Sequence, residues 1–250
     1  MLIDTHCHIH NPEYDFNIPN IIKAADEQGV EKIICIGVSQ DDSVGALNLS
    51  NNYQNVYCSV GVHPHEANTG FDKIEDLIQC GNKSLVAVGE IGLDYHYDFC
   101  PRDIQIKALE SQIDIALKHN LPIIFHVREA FDDFWPIFDN FHGIRGVVHS
   151  FTDQPFNACE ALNRGLYVGV NGFCTFTKDK KQQMMFGSLP IDQILLETDA
   201  PYLTPVPFRG TVNEPAYVRN VAEYLAALRE VSLNELAEAT TKNANALFNL

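Results

Sequence analysis

The sequence predicts a (β/α)8 TIM-like barrel that forms a single domain over residues 1–250. Short apolar runs alternate with longer amphipathic segments, there are eight such runs, and no linker interrupts the chain. Apolar strands that are each followed by a helix are typical of a parallel sheet covered on both faces, and eight such units suit a barrel. A doubly wound open sheet is the alternative, but it rarely needs eight units, and no G-x-G-x-x-G motif follows the first run.

Each predicted strand is a short run rich in Val and Ile, bounded by polar or glycine-containing segments. The strands are expected at residues 2–6, 32–38, 56–62, 85–93, 122–127, 145–150, 166–172 and 193–199. The clearest helix follows the fourth strand, and its apolar face is predicted from helical spacing. That face consists of Ile106, Leu109, Ile113, Ala116 and Leu117. Ser232 and Glu235 form an S-x-x-E capping box that opens a last helix.

The composition is that of a compact globular protein, with 46% hydrophobic and 20% charged residues, and the cysteine usage and the missing export signal predict a cytoplasmic location. No apolar run approaches the roughly 18–20 residues of a membrane span, and no export signal is seen. The seven cysteines are odd in number and contain no C-x-x-C pair, which favours free thiols over disulfides or a structural zinc site. A net charge of −16 disfavours broad binding along duplex DNA, although bound cations would reverse the field locally.

Ionisable side chains end six of the eight predicted strands, where the chemistry of a (β/α)8 barrel is located. One histidine at a strand end is more often a hydrogen-bonded core residue than a ligand. Glu90 is harder to dismiss, because an unpaired carboxylate in an apolar strand costs several kcal/mol. Divalent metal would pair this charge and hold the imidazoles. The strand-end residues are His6, His8, His63, His65, Glu90, His126, His149, Glu197 and Asp199.

The number of donors indicates two ions, because a single catalytic zinc usually takes three protein ligands. With Glu90 bridging, His6, His8 and Asp199 could hold one ion, and His126 and His149 the other. His6 and His8 are two residues apart on one strand and so point the same way. Such sites accept Zn²⁺, Mn²⁺, Ni²⁺, Co²⁺ and, less readily, Mg²⁺.

The segments MLIDTHCHIH, GVHPHE, VGEIGLDYHYD, LPIIFHVREA, HSFTD and LLETDAPYLTPVPFRGTVNEPAYV occur in the order seen in the TatD-family metal-dependent deoxyribonucleases. The resemblance runs the length of the chain and implies membership of the metallo-dependent hydrolase superfamily. It implies the ligand set His6, His8, Glu90 and Asp199 for one metal and Glu90, His126 and His149 for the other. Amidohydrolases of this superfamily commonly carry a carboxylated lysine where this chain has Glu90, which points to the nuclease branch.

Further roles follow for individual side chains. Asp199 is expected to accept a proton from the attacking water, with Glu90 as the other catalytic carboxylate. Glu197 either orients a histidine ligand or is a buried ion-pair partner. Arg128 and Arg209 are candidates for contact with substrate phosphate, the alternative being salt bridges at the rim. His63 is a third candidate for phosphate binding, the alternative being hydrogen bonds to loop carbonyls.

Three functions are compatible with these residues. The first is a two-metal phosphodiesterase, and the resemblance implies a 3′→5′ exodeoxyribonuclease, with RNA as a possible second substrate. So acidic a chain is expected to act on DNA ends or single strands, where few phosphates need contacting. The second is a metal-dependent hydrolase of an amide, lactone or other ester. The third is a non-catalytic binding protein stabilised by metal. No membrane or protein partner is predicted.

Overall fold

The computed structural model describes all 250 residues and contains one sheet of eight strands in the order β1 to β8. The strands are Leu2–Cys7 (β1), Val30–Ile36 (β2), Val56–Val60 (β3), Leu85–Asp94 (β4), Ile123–Arg128 (β5), Gly146–Val148 (β6), Tyr167–Val170 (β7) and Ile194–Leu196 (β8). Strand order follows chain order, and the registered pairs are parallel. These observations confirm the predicted (β/α)8 fold class.

Nine α-helices follow or join the strands. They are Ile18–Glu27 (α1), Gln40–Asn52 (α2), Ile74–Gln79 (α3), Arg102–Lys118 (α4), Phe131–Phe138 (α5), Pro155–Asn163 (α6), Lys180–Ser188 (α7), Val218–Leu228 (α8) and Leu233–Phe248 (α9). The serine half of the predicted capping box is present, because the Glu235 amide donates to Ser232 Oγ at 3.1 Å and α9 begins there. None of these helices combines the length and the apolar character that a transmembrane segment requires.

Tertiary contacts divide the chain into a terminal unit, residues 1–35 and 150–250, and a central unit, residues 36–149. In the terminal unit, a parallel bridge between Cys7 and Ala200 places the end of β1 beside the segment that follows β8. The first and last strands are therefore neighbours, as a closed sheet requires. All seven cysteines are free thiols.

The core of the central unit is built from β4, β5 and the helix faces that cover them. Ile91 and Phe125 are fully buried, and the Phe125 and Phe134 rings meet edge to face at 5.2 Å. Burying a side chain of this size contributes roughly 1.5–3 kcal/mol. The helix predicted after the fourth strand is α4, and Leu109, Ile113 and Ala116 of its predicted apolar face are buried, whereas Ile106 and Leu117 are only partly buried. Gln105 and Gln112 are buried on the same face, which helical spacing of apolar residues did not predict.

Candidate metal centres

The first group of donors lies in the terminal unit, and we call His6, His8 and Asp199 the His6 cluster. The Nε2 atoms of the two histidines are 3.2 Å apart. Asp199 Oδ1 lies 3.7 Å from His6 Nε2 and 3.5 Å from His8 Nε2. Backbone hydrogen bonds hold the two chain segments together, from Asp199 N–H to the His6 carbonyl (2.8 Å) and from His8 N–H to the Ala200 carbonyl (2.7 Å).

Asp199 has a left-handed backbone, with φ of 58°. Such a conformation is uncommon outside glycine, although aspartate tolerates it better than most residues. It turns the chain away from β8 and directs the carboxylate to the two imidazoles. Strained residues of this kind cluster at functional sites, and here the strain coincides with the predicted catalytic carboxylate.

Asp4 supports the His6 cluster from beneath. It precedes His6 by two residues on the same side of β1, and its carboxylate is fully buried. It accepts hydrogen bonds from Thr198 Oγ1 at 2.6 Å and from the Thr198 amide at 2.8 Å. Burial raises the pKa of Asp4 to about 8, despite these bonds. Asp4 thus ties β1 to the segment that carries Asp199.

The second group lies in the central unit, and we call Glu90, His126 and His149 the Glu90 cluster. Glu90 Oε1 lies 2.8 Å from His126 Nδ1 and 2.6 Å from His149 Nε2, and these two nitrogens are 3.2 Å apart. The strands approach closely at this point: a Cβ on Gly92 would collide with the His126 carbonyl. Only glycine allows β4 and β5 to bring their donors this near.

Asp94, the last residue of β4, orients His126. Its Oδ2 lies 2.9 Å from His126 Nε2 and 3.1 Å from His65 Nε2, while Oδ1 accepts the backbone amides of His96 (2.9 Å) and Tyr97 (3.3 Å). A proton on His126 Nε2 leaves the lone pair on Nδ1 facing Glu90 and His149. Carboxylates commonly fix the tautomer of metal-binding histidines in this way.

Burial and neighbouring charges shift the pKa values of residues in and around the Glu90 cluster. Burial opposes the charged imidazole of His126, but hydrogen bonds to Asp94 and Glu90 outweigh it and raise its pKa to about 9. Burial raises the pKa of Asp94, but hydrogen bonds from His126 and His65 outweigh it and hold the pKa far below its usual value. Burial and repulsion from His126 lower the pKa of His63 well below its ordinary value.

The two buried glutamines of α4 bind backbone groups at the ends of two strands. Gln105 accepts the Asp94 amide through Oε1 at 2.9 Å and donates to the Asp94 carbonyl through Nε2 at 3.0 Å. Gln112 makes the same pair of bonds with Val62, beyond the end of β3, at 2.8 and 3.1 Å. Each amide satisfies backbone groups that no neighbouring strand reaches, so α4 fixes the ends of two strands.

Both clusters have the donor chemistry of a divalent cation site. Two ligands at 2.0–2.1 Å from a tetrahedral ion are separated by about 3.3 Å. The nitrogen pairs at 3.2 Å and the carboxylate contacts at 3.5 and 3.7 Å in the His6 cluster are close to that separation. In the Glu90 cluster the carboxylate oxygen is closer, at hydrogen-bond distances of 2.6 and 2.8 Å from the two nitrogens. Each cluster combines imidazole nitrogens with a carboxylate, which when ionised carries only lone pairs and no hydrogen to donate. The residues therefore fit a bound metal, and their binding of it stays a prediction.

The predicted substrate contacts occupy different surroundings. His63 begins a 3-10 helix at Pro64–Thr69, accepts the His65 amide through Nδ1 at 3.1 Å, and has Nε2 3.6 Å from Glu90 Oε1. Arg128 is exposed at the end of β5. Arg209 is exposed as well, but it donates to the Thr204 carbonyl at 2.7 Å and lies over the Phe176 ring at 3.8 Å.

Glu197 is almost fully buried in the terminal unit. Its Oε1 accepts the Ser150 amide at 2.5 Å, and Ser150 Oγ in turn accepts Asn171 Nδ2 at 2.8 Å. Gly169 provides the room, because a Cβ there would lie 2.5 Å from Glu197 Oε2. The carboxylate therefore holds the turn that begins at Ser150, the residue after His149.

Asp4, Asp94 and Gln105 were absent from the residues singled out in the sequence. Asp4 lies two residues before His6 and Asp94 four residues after Glu90, both even spacings along a strand, so strand periodicity carries a signal for both carboxylates. For Gln105 the sequence offers only a glutamine seven residues before another on one helix. That pattern is equally typical of a solvated face.

Comparisons with known proteins agree on one family. A family model described as TatD related DNase matches residues 3–249. The chain is 37% identical to the uncharacterized metal-dependent hydrolase YabD of Bacillus subtilis, with 100% of each chain covered. It is 34% identical to deoxyribonuclease Tat-D of Schizosaccharomyces pombe, over 94% of this chain and 87% of the yeast protein. The crystal structure of YjjV, a TatD homologue from Escherichia coli, superimposes with a TM-score of 0.93 at 30% identity, covering 100% of this chain and 98% of the other.

Proposed function

Because the chain belongs to the TatD-related DNase family and is a metal-dependent hydrolase, we propose that it cleaves phosphodiester bonds of DNA as a 3′→5′ exonuclease. Its substrates are DNA ends or single strands, with RNA as a second candidate. The observation that carries the proposal is the pair of three-donor clusters, whose residues lie on or directly after β1, on β4 and β5, and in the turns after β6 and β8. A deoxyribonuclease among the relatives supports the choice of bond.

The proposal assigns one divalent ion to each cluster. His6, His8 and Asp199 would hold one, and Glu90, His126 and His149 the other. That Glu90 also serves the first ion stays a prediction. Bound there, the ions would make a water molecule more acidic and neutralise charge on the phosphoryl oxygens.

The side chains have their own tasks in this scheme. Asp199 accepts the proton of the attacking water at a carboxylate oxygen, and its side chain is 13% exposed, so water reaches it. Asp94 keeps His126 in the tautomer that presents Nδ1. His63 and Arg128 contact the scissile or neighbouring phosphate, and Arg209 is a third candidate for that role.

The net charge of the chain favours DNA ends and single strands as substrates over long duplexes. With a net charge of −16, long-range attraction to a duplex backbone is absent, so the substrate must be bound through few phosphates. A strand end or a short single strand meets this condition. The dependence of log affinity on log salt is then shallow, with a slope of magnitude about 3 or less.

The test is metal-dependent digestion of single-stranded DNA labelled at the 3′ or the 5′ end. Glu90→Ala and Asp199→Ala should each lower kcat/KM by about a hundredfold or more, because each removes a predicted metal ligand. Glu238→Ala, an exposed glutamate on α9, is the matched control and should retain activity. Loss of the 3′ label before internal cuts appear supports the proposed polarity. Activity on amides, lactones or carboxylic esters but none on DNA would reverse the assignment, and a steep salt slope would contradict the small footprint.

A further inference from the structure

Two exposed aromatic side chains follow β4 and are unexplained by packing of the core. Tyr97 is 43% and Phe99 63% exposed, yet their rings stack on each other with centroids 5.3 Å apart and planes at 18°. Exposed aromatic surface of this kind is typical of sites where a ligand completes the burial. We call Tyr97 and Phe99 the aromatic platform.

The aromatic platform is held beside the Glu90 cluster by His65. The His65 ring meets Tyr97 edge-on at 5.6 Å and Phe99 edge-on at 4.9 Å. Its Nε2 lies 3.1 Å from Asp94 Oδ2, the same oxygen that faces His126. One imidazole therefore links the platform to the carboxylate that orients a predicted metal ligand, all within the central unit.

Positive charge next to the platform is sparse. The Arg128 guanidinium lies 5.1 Å from the centroid of the Tyr97 ring, which is within the range of a cation–π contact. Asp98 lies between the two aromatic residues in sequence, and Glu129 follows Arg128. The phosphates of a nucleic acid gain little electrostatic attraction from this mixture of charges, whereas the stacking of a base on a neutral ring does not depend on charge.

We propose that Tyr97 and Phe99 stack an unpaired nucleobase of the substrate strand, while Arg128 contacts the adjoining phosphate. This inference rests on the proposed function and specifies its substrate: single-stranded or frayed DNA, because the bases of an intact duplex are already stacked on one another. Aromatic stacking serves proteins that bind single strands without reading sequence. Removing a stacking ring typically weakens binding about 5- to 150-fold.

The experiment measures binding by fluorescence anisotropy, with fluorescein-labelled phosphorothioate oligothymidylate and an abasic strand of equal length and charge. The wild-type protein should bind the base-bearing strand about 5- to 150-fold more tightly, and the ratio should persist at high salt. Tyr97→Ala and Phe99→Ala should abolish the difference, whereas Phe99→Trp should retain it. Phe156→Ala, which removes a 69% exposed ring on α6, is the matched control and should leave the difference unchanged.

Equal affinity of the wild type for both strands would overturn the inference, as would a difference that survives in both alanine variants. Thermal unfolding of each variant shows whether it is folded. The outcome is separable from that of the digestion test. Cleavage of DNA without base-dependent binding refutes the aromatic platform alone. Base-dependent binding without cleavage refutes the nuclease assignment and leaves the platform as a single-strand binding site.

Discussion

Replacing Asp94 with asparagine tests whether an outer carboxylate controls the Glu90 cluster. One carboxylate oxygen faces the Nε2 atoms of His126 (2.9 Å) and His65 (3.1 Å), and the other accepts the backbone amides of His96 and Tyr97. An asparagine keeps one acceptor oxygen and presents an NH₂ donor in place of the second. If the oxygen stays with the backbone amides, the NH₂ faces two imidazoles. His126 then loses its partner or adopts the tautomer that carries its proton on Nδ1.

Either consequence weakens metal binding through His126 Nδ1. Removing an outer-shell partner typically costs 10- to 100-fold in metal affinity, which corresponds to about 1.4–2.7 kcal/mol. Asp94→Asn should therefore lower the affinity for one ion by this factor and leave the ion of the His6 cluster bound. Zinc affinity and stoichiometry are measured by competition with a chromophoric chelator.

Asp133→Asn is the matched control, because Asp133 receives only the Tyr95 hydroxyl, at 2.8 Å, and lies on the exposed side of α5. It should bind both ions as the wild type does. If Asp94→Asn also binds both ions within twofold of the wild-type affinity, the inferred orientation of His126 is wrong. Loss of both ions at once would show that the two clusters cannot be filled independently.

Two further predictions concern stability and titration. Gly169→Ala should destabilise the protein by about 1–3 kcal/mol, because its Cβ would lie 2.5 Å from Glu197 Oε2. Gly187→Ala, inside α7 with no neighbour closer than 3.7 Å, should be neutral or stabilising by up to about 1 kcal/mol. Equal urea midpoints for the two variants would contradict this prediction. Hydrogen bonds from Lys118 and a neighbouring histidine lower the pKa of the Glu75 carboxyl to about 2. The pairing therefore stabilises the folded state fully above the unfolded pKa near 4.5, and this stabilisation is lost as the pH falls through about 2. Lys118→Ala should move the Glu75 pKa towards 4.5 in an NMR titration, and an unchanged pKa would show that the lysine contributes nothing.

The strands were predictable because each is an apolar run that is buried on both faces. Each of the eight predicted runs overlaps a strand, but some strands are shorter than expected: β6 covers Gly146–Val148 and β8 Ile194–Leu196. The remaining residues of those runs form the turns that carry His149 and Asp199. Apolar character continues past the last ladder hydrogen bond, so hydrophobicity alone does not mark where a strand ends.

The buried face of α4 was predictable only in part, because Leu109, Ile113 and Ala116 are buried as expected. Helical spacing placed Ile106 and Leu117 on it, but both are only partly buried, while Gln105 and Gln112 are fully enclosed. A glutamine is buried when backbone groups elsewhere need its amide, and those groups belong to β4 and to the segment after β3. Those backbone groups lack hydrogen-bond partners within the sheet, and only the packing of the helix on the strands brings the glutamine amides to them.

The amino-acid sequence alone determined the strand–helix alternation, the family and the residues able to bind metal, since periodicity and side-chain chemistry are properties of short segments. Tertiary structure decided which atoms meet: Asp199 with imidazoles nearly two hundred residues earlier, Asp94 with His126, and Gln105 with the backbone of Asp94. These contacts depend on strand register and on the rotation of a helix about its axis. Both the register and the rotation are set by the packing of the whole core, which no single segment of the sequence specifies.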